Sequence, residues 1–161
     1  WLVVLLGATL SAALSAFSYQ PTAMRLPKGY ELYGVLRLLG RFAEARTLGR
    51  GLHTAQLLER EPILDDDLLQ SLLATLCEIA VLRRAESGEW LLARDLDEVG
   101  IDELYEAATL RIPVARAELP CSNDALGVLV CAAIDGLRAP LRERMQRSIG
   151  SIYATSESRT E

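Results

Sequence analysis

The chain has 161 residues, of which 50% are hydrophobic and 24% charged, and its net charge is −5. This length supports one domain with a sizeable core and argues against two independent domains. Three widely spaced cysteines and one histidine argue against a disulfide framework, a CxxC metal motif, a histidine-based zinc site and a serine triad. We interpret Cys77, Cys121 and Cys131 as core thiols in a reducing compartment, and His53 as a loop residue beside a helix start.

The opening sequence, WLVVLLGATLSAALSAF, is typical of a membrane-spanning helix, and residues 1–24 carry no charge. A helix over residues 1–17 would rise about 25 Å, close to the roughly 30 Å hydrocarbon thickness of a bilayer. Basic residues follow, namely Arg25, Lys28, Arg37 and Arg41, and such flanks stay on the cytoplasmic side. We therefore expect residues 1–20 to be the end of a transmembrane helix in the lipid bilayer of a bacterial inner membrane, with the chain in the cytoplasm from about residue 25.

Two other interpretations of the opening stay open. A secretory signal fits the small residues Ala13, Ser15 and Ala16 as a cleavage site, but a basic leader is missing. A buried core helix would be apolar all round only in a larger core than a domain of this size builds. Small residues four apart, such as Gly7 and Ser11, favour the membrane because they let membrane helices approach closely.

Charge is unevenly distributed along the chain. Residues 21–60 sum to +4, residues 61–110 to −10 and residues 111–161 to +1. Anionic headgroups would attract the basic stretch by about 1 kcal/mol per well-placed cation. Any polyanion would repel the acidic stretch, so nucleic acid is an unfavourable partner.

The first predicted helix has apolar residues at helical spacing, charged residues opposite them, and a stop at Gly49. The apolar positions are Leu32, Val35, Leu36, Leu39, Phe42 and Ala43, and the polar positions are Arg37, Arg41, Glu44 and Arg46. Thr54 is the expected cap of a short second helix, which ends at Arg60 before Pro62.

The third predicted helix has the clearest pattern. Asp65, Asp66 and Asp67 place negative charge at its N-terminus. An apolar stripe follows at Leu68, Leu69, Leu72, Leu73, Leu76, Ile79 and Ala80. Adjacent helical residues point about 100° apart, so the three carboxylates do not converge on one ion and are not interpreted as a metal site.

A β-hairpin is predicted next. Val81 and Leu82 lead into a polar turn at Ser87 and Gly88, and the segment from Trp90 to Leu92 leads out. We interpret Trp90 as a core anchor under the hairpin in preference to an exposed binding residue. A fourth helix is expected from Asp102, with Ile101, Leu104, Tyr105 and Ala108 facing inward.

Residues 111–154 are expected to form one or two helices that pack on the domain. Ser122 is the expected cap of an apolar run from Ala125 to Ile134, which Gly136 and Pro140 interrupt. A last amphipathic helix is indicated by Leu141, Met145, Ile149 and Ile152. These segments complete the core or form a seam for self-association. The polar tail, residues 155–161, is expected to be disordered.

Helix, short helix, longer helix, hairpin and helix is the order of a winged helix-turn-helix domain. We therefore predict a mainly α fold with one small β-hairpin over residues 21–110. The segment 32–107, and especially GEWLLARDLDEVGIDELYEA, resembles the winged-helix core of IscR/NsrR-like transcription regulators. In that family the longer helix enters the DNA major groove, and three clustered cysteines can hold an iron–sulfur centre. This chain departs from both features, because its longer helix begins with aspartates and its cysteines are dispersed.

The whole chain resembles the C-terminal part of a YihY/BrkB-family inner-membrane protein. The resemblance lies in the opening WLVVLLGATLSAAL, the helix LYGVLRLLGRFAEAR and the hairpin segment GEWLLARDL. It implies a multi-pass membrane protein of unassigned role that carries a cytoplasmic extension. The family was formerly labelled ribonuclease BN, but no catalytic residue can be carried over onto this sequence.

We therefore predict a non-catalytic cytoplasmic domain that serves as a protein-interaction or regulatory module, with no catalytic, cofactor-binding or metal-binding residue. One alternative is a DNA-binding winged-helix regulator, in which Arg83 and Arg84 of the hairpin touch phosphate, although Glu86 and Glu89 lie beside them. The other is a tRNA-processing ribonuclease. The GRG sequence at residues 49–51 lacks the Lys and Ser/Thr of a phosphate-binding loop.

Overall fold

A computed structural model describes residues 25–146 of the chain. The elements are α1 (Glu31–Thr47), α2 (Thr54–Arg60), α3 (Asp66–Glu78), β1 (Leu82–Arg84), β2 (Trp90–Leu92), a 3-10 turn (Leu96–Glu98), α4 (Ile101–Ala107) and α5 (Ala125–Met145). The predicted mainly α architecture with one small hairpin is confirmed. The expected membrane helix at residues 1–20, the apolar positions Ile149 and Ile152, and the tail at residues 155–161 lie outside the described residues.

Helix α1 lies at the centre of the core. Leu32, Val35, Leu39 and Phe42 of its apolar face are buried as predicted, whereas Leu36 and Ala43 are only half-buried and Ala45 is buried instead. The expectation that Arg37 lies on the polar side is wrong, because only 1% of this residue is exposed. The core also contains buried residues from α3, the hairpin and α5, among them Leu69, Leu73, Leu82, Val130 and Ile134.

Helix α2 begins at Thr54. Its cap is His53, and not Thr54 as expected. His53 has the extended backbone of a cap residue, and its N–H donates to Gln56 Oε1 at 3.0 Å. The Thr54 hydroxyl instead accepts a hydrogen bond from Trp90 Nε1 at 3.1 Å. Tertiary packing therefore sets the role of Thr54.

Helix α3 begins as predicted, with Asp65 Oδ1 accepting from the Leu68 N–H at 2.9 Å. It ends at Glu78, and Ala80 follows in the left-handed region at φ 55°. Ala80 is exposed, so the expected apolar stripe stops before it.

The hairpin pairs β1 and β2 antiparallel, with Leu82 opposite Leu92 and Arg84 opposite Trp90. Gly88 allows the turn because it adopts φ 86°. The residue Leu52, between α1 and α2, extends this sheet by exchanging two backbone hydrogen bonds with Trp90, at 2.9 and 3.0 Å.

Only one residue of helix α4 reaches the core. Leu104 is buried, whereas Ile101 and Tyr105 are 37% and 38% exposed, so the expectation that these two face inward is wrong. A seven-residue helix has two turns, and its other faces remain at the surface.

Helix α5 is one continuous helix, contrary to the expected break at Gly136 and Pro140. Both residues are exposed, so water can hydrogen-bond the carbonyl that Pro140 leaves unpaired. Its cap is Asp124 and not Ser122, with Asp124 Oδ1 accepting from the Gly127 N–H at 2.7 Å. No helix within residues 25–146 is both long and apolar enough to cross a bilayer.

Helix α5 packs closely on α1, where a Cβ at Gly40 would come within 2.7 Å of the Leu126 side chain. The segment between α4 and α5 is tied to the start of α1, because the hydroxyls of Tyr30 and Tyr33 donate to the Ala115 and Pro120 carbonyls at 2.6 and 3.0 Å. Two residues of α5, Val130 and Ile134, belong to the hydrophobic core.

Candidate interaction surfaces

The most concentrated polar chemistry is a buried ion cluster at the junction of α1, α2 and α5. Arg37 donates to both Glu61 oxygens at 2.6 and 3.0 Å and to both Asp124 oxygens at 2.7 Å. Arg41 Nε donates to Glu61 Oε1 at 2.6 Å, and Arg37 also reaches the Cys121 carbonyl at 3.0 Å. Glu61 is fully buried.

Every charge in this ion cluster has an opposite partner, as buried charges require. The hydrogen bonds from Arg37 lower the pKa of Asp124 to about 2, so its carboxylate stays ionised. The Asp124 carboxylate is therefore not poised to exchange a proton near neutral pH. The geometry is that of a structural junction between helices.

The residues considered for chemistry do not converge. His53 lies at the start of α2, half-exposed, with its Nε2 atom 3.6 Å from Glu89 Oε1. The three cysteines are free and half-buried, and burial raises the pKa of Cys77 and Cys131, which disfavours the nucleophilic thiolate. Within residues 25–146, no group of three His, Cys, Asp or Glu side chains has the geometry to hold a metal ion.

The solvent side of α3 forms one candidate interaction surface, which we call the acidic face. It consists of exposed residues Asp66, Asp67, Gln70, Ser71, Ala74 and Glu78. No lysine or arginine occurs in α3, so nothing on this helix offsets its carboxylates.

The hairpin beside α3 carries the exposed Arg83 and Arg84. The Arg84 guanidinium lies 5.5 Å from the centre of the Trp90 ring, a distance that allows a cation–π contact. Trp90 itself is half-buried, packs on the core and donates to Thr54. This supports its interpretation as a core anchor.

A second surface is apolar and was not identified from the sequence. A groove of about 300 Å³ opens between α1, α4 and α5. Its lining is free of charged side chains, and we call it the apolar groove; it contains Leu36, Leu39, Gly40, Leu96, Val99, Ile101, Leu104, Leu126, Leu129, Val130 and Ala133. Beside it, Val128 and Leu129 are 56% and 67% exposed.

A polar cleft of about 500 Å³ lies on the other side of α5. Its lining carries two arginines and two carboxylates, namely Arg116, Arg138, Glu118 and Asp135. Arg138 donates to Asp135 Oδ1 at 2.6 Å and to the Pro113 carbonyl at 2.7 Å. These contacts hold the 111–124 segment against α5, so we interpret the cleft as a structural seam.

The described residues thus define a mainly α domain with two candidate interaction surfaces and no convergent catalytic group. No family model matches the chain. The chain is 56% identical over 156 residues to the UPF0761 membrane protein of Stenotrophomonas maltophilia strain R551-3, which covers 97% of this chain and 37% of that protein. It is 53% identical over 153 residues to the UPF0761 membrane protein of Xanthomonas axonopodis pv. citri strain 306, covering 95% and 36%.

The chain belongs to the family of UPF0761 membrane proteins, which confirms its resemblance to the YihY/BrkB family. It corresponds to the C-terminal part of a larger membrane protein. It spans about 37% of the length of the curated relatives it matches. The names of these relatives state no catalytic activity.

Proposed function

We propose that this chain is the non-catalytic cytoplasmic part of a multi-pass inner-membrane protein. In this proposal, residues 25–110 form a winged-helix module that binds a basic segment of a protein partner. The observation that supports this proposal most strongly is the acidic face of α3. In winged-helix regulators the corresponding helix enters DNA.

The winged-helix assignment is supported by more than the order of helices and strands. Leu52, between α1 and α2, bridges to Trp90 and adds a short third strand to the hairpin. Trp90 then links this strand to α2 through Thr54. The hairpin is therefore fixed against the helices, as a wing is.

A protein partner is favoured over DNA by electrostatics. Affinity for nucleic acid arises chiefly from lysine and arginine at phosphates. Here the exposed side of α3 carries three carboxylates and no cation, and a phosphate backbone would be repelled. A lysine- or arginine-rich segment is the complementary ligand.

The cytoplasmic orientation is supported by the basic residues that follow the uncharged opening, Arg25 and Lys28 among them. Reporter fusions to the full-length protein after Gln146 test it. We expect a fluorescent protein to fluoresce and alkaline phosphatase to be inactive at this position. Active phosphatase would contradict the orientation.

Partner binding is tested by photo-cross-linking in living cells, with a photoreactive residue in place of Ser71 of the full-length protein. We expect a discrete adduct that is lost in Asp66→Lys/Asp67→Lys. The matched control, Asp102→Lys/Glu106→Lys, makes the same charge change on exposed positions of α4 and should retain the adduct. Loss of the adduct in both variants, or in neither, would contradict a specific acidic contact.

The DNA alternative is tested separately by fluorescence anisotropy of a labelled duplex with the purified full-length protein in detergent. We expect no binding at micromolar protein concentration in low salt. Salt-sensitive binding at that concentration would overturn the preference for a protein partner.

A further inference from the structure

The exposed side of α5 is apolar over most of its length. We call it the apolar face; it consists of the exposed residues Ala125, Val128, Leu129, Ala132, Ala133, Gly136, Ala139 and Pro140. These positions recur three or four apart, so they share one side of the helix and extend over about 23 Å. Val128 and Leu129 are more than half exposed, and contiguous apolar surface of this kind is typical of interaction sites.

We propose that a second copy of this chain covers the apolar face, with the two α5 helices packed antiparallel about a two-fold axis near Ala132 and Ala133. The apolar face is distinct from the acidic face. Dimerisation through the first and partner binding at the second are therefore independent proposals, and either can fail without the other. It gives a specific geometry to the seam for self-association that the sequence suggested for the C-terminal region.

Side-chain size along the helix is self-complementary only in the antiparallel arrangement. The bulky Val128 and Leu129 lie in the first half of the face, whereas the second half has Ala133, Gly136 and Ala139. A two-fold axis near Ala132 and Ala133 places Leu129 of each copy opposite Gly136 of the other. Gly136 has open space around it, since a Cβ added there meets nothing within 4 Å. A parallel pair would instead oppose Leu129 to its own equivalent.

The charges at the two ends of α5 favour the same direction. The C-terminal end carries exposed Arg142 and Arg144 with Glu143 between them, whereas the first turns of the helix, from Ala125 to Val130, carry no charged residue. Antiparallel pairing keeps the two basic ends apart. A parallel pair would bring like charges together.

The apolar groove enlarges the surface available to the second copy. Leu129 and Ala133 belong to both the groove and the apolar face, so the apolar area continues onto α1 and α4. A single helix face is small beside the roughly 800 Å² that each partner buries in a standard interface. Confinement of both copies to one membrane raises their effective concentration and favours the pair.

The arrangement is tested by site-specific cross-linking of the full-length protein in its native membrane, with a short bismaleimide in a background that lacks other cysteines. We expect Ala132→Cys, near the axis, to give a cross-linked dimer. Leu129→Cys alone should not cross-link, but Leu129→Cys and Gly136→Cys on two differently tagged copies should. Ala74→Cys, exposed on the acidic face, is the matched control and should stay monomeric.

A second measurement keeps the test independent of cross-linking chemistry. Leu129→Glu places a charge at the centre of the proposed contact, and we expect it to weaken dimerisation about tenfold or more by mass photometry in lipid nanodiscs. The exposure of Leu129 predicts an unchanged circular dichroism spectrum. A self-cross-link of Leu129→Cys, or a monomeric parent protein, would overturn the proposal.

Discussion

Two charged regions of this domain differ in whether their carboxylates have cationic partners. In the ion cluster, Glu61 and Asp124 are held by Arg37 within 2.6–3.0 Å, and Glu61 is also bound by Arg41. On the acidic face, Asp66, Asp67 and Glu78 are exposed and have no ion-pair partner among the described residues. The same chemical groups therefore hold helices together in one region and remain available to a ligand in the other.

The largest expected effect tests the structural role of the ion cluster. Arg37→Ala leaves the buried Glu61 with a single cationic partner and should destabilise the fold by about 3–5 kcal/mol. Urea unfolding followed by circular dichroism measures it. The control is Arg46→Ala, since Arg46 makes an exposed 3.4 Å pair with Asp95 and should contribute about 1 kcal/mol or less. Equal effects of the two changes would contradict the structural role of the ion cluster.

A smaller effect is expected at the edge of the same cluster. Asp124→Ala removes both a partner of Arg37 and the cap of α5, and the expected destabilisation is about 2 kcal/mol. The same unfolding experiment reports it. Ser122→Ala is the control, because Ser122 does not cap α5, and it should leave stability nearly unchanged.

The pH dependence of the free energy of unfolding provides a further test of the Asp124–Arg37 ion pair. The pKa of Asp124 is about 2 in the folded chain, below its ordinary value of 3.8. Its contribution is therefore complete above about pH 4 and declines as the pH falls through 2. Because Asp124 is 41% exposed, we expect this contribution to be about 1 kcal/mol. The stability difference between the parent and Asp124→Asn should shrink over this range, and a constant difference would contradict the ion pair.

The smallest effects separate the three aspartates at the start of α3. Asp65→Ala removes the cap bond to Leu68 and should destabilise the chain by about 1 kcal/mol. Asp66→Ala leaves that bond in place and should change stability by only about 0.3 kcal/mol through the helix dipole. Thermal unfolding distinguishes them. A large effect of Asp66→Ala would mean that the acidic face is structural and not available for binding.

The sequence predicted the local features well where near neighbours in the chain decide them. The Asp65 cap, the apolar stripe of α3 and the turn at Gly88 depend on residues within a few positions of one another. The ion cluster could not be predicted in this way, because Glu61 and Asp124 are 24 and 87 residues from Arg37. Helical periodicity placed Arg37 on the polar side, but Glu61 at the end of α2 and Asp124 at the start of α5 pack against it, and it is buried.

The sequence by itself determined the family, the mainly α composition with one hairpin, and the acidic character of α3, since these depend on residue identity and short spacing. The tertiary structure decided which charges are paired and which apolar side chains remain at the surface. Val130 and Leu129 are neighbours of similar hydrophobicity, yet one is buried and the other is 67% exposed. The physical reason is that burial depends on which segments, distant in sequence, pack against each face of a helix.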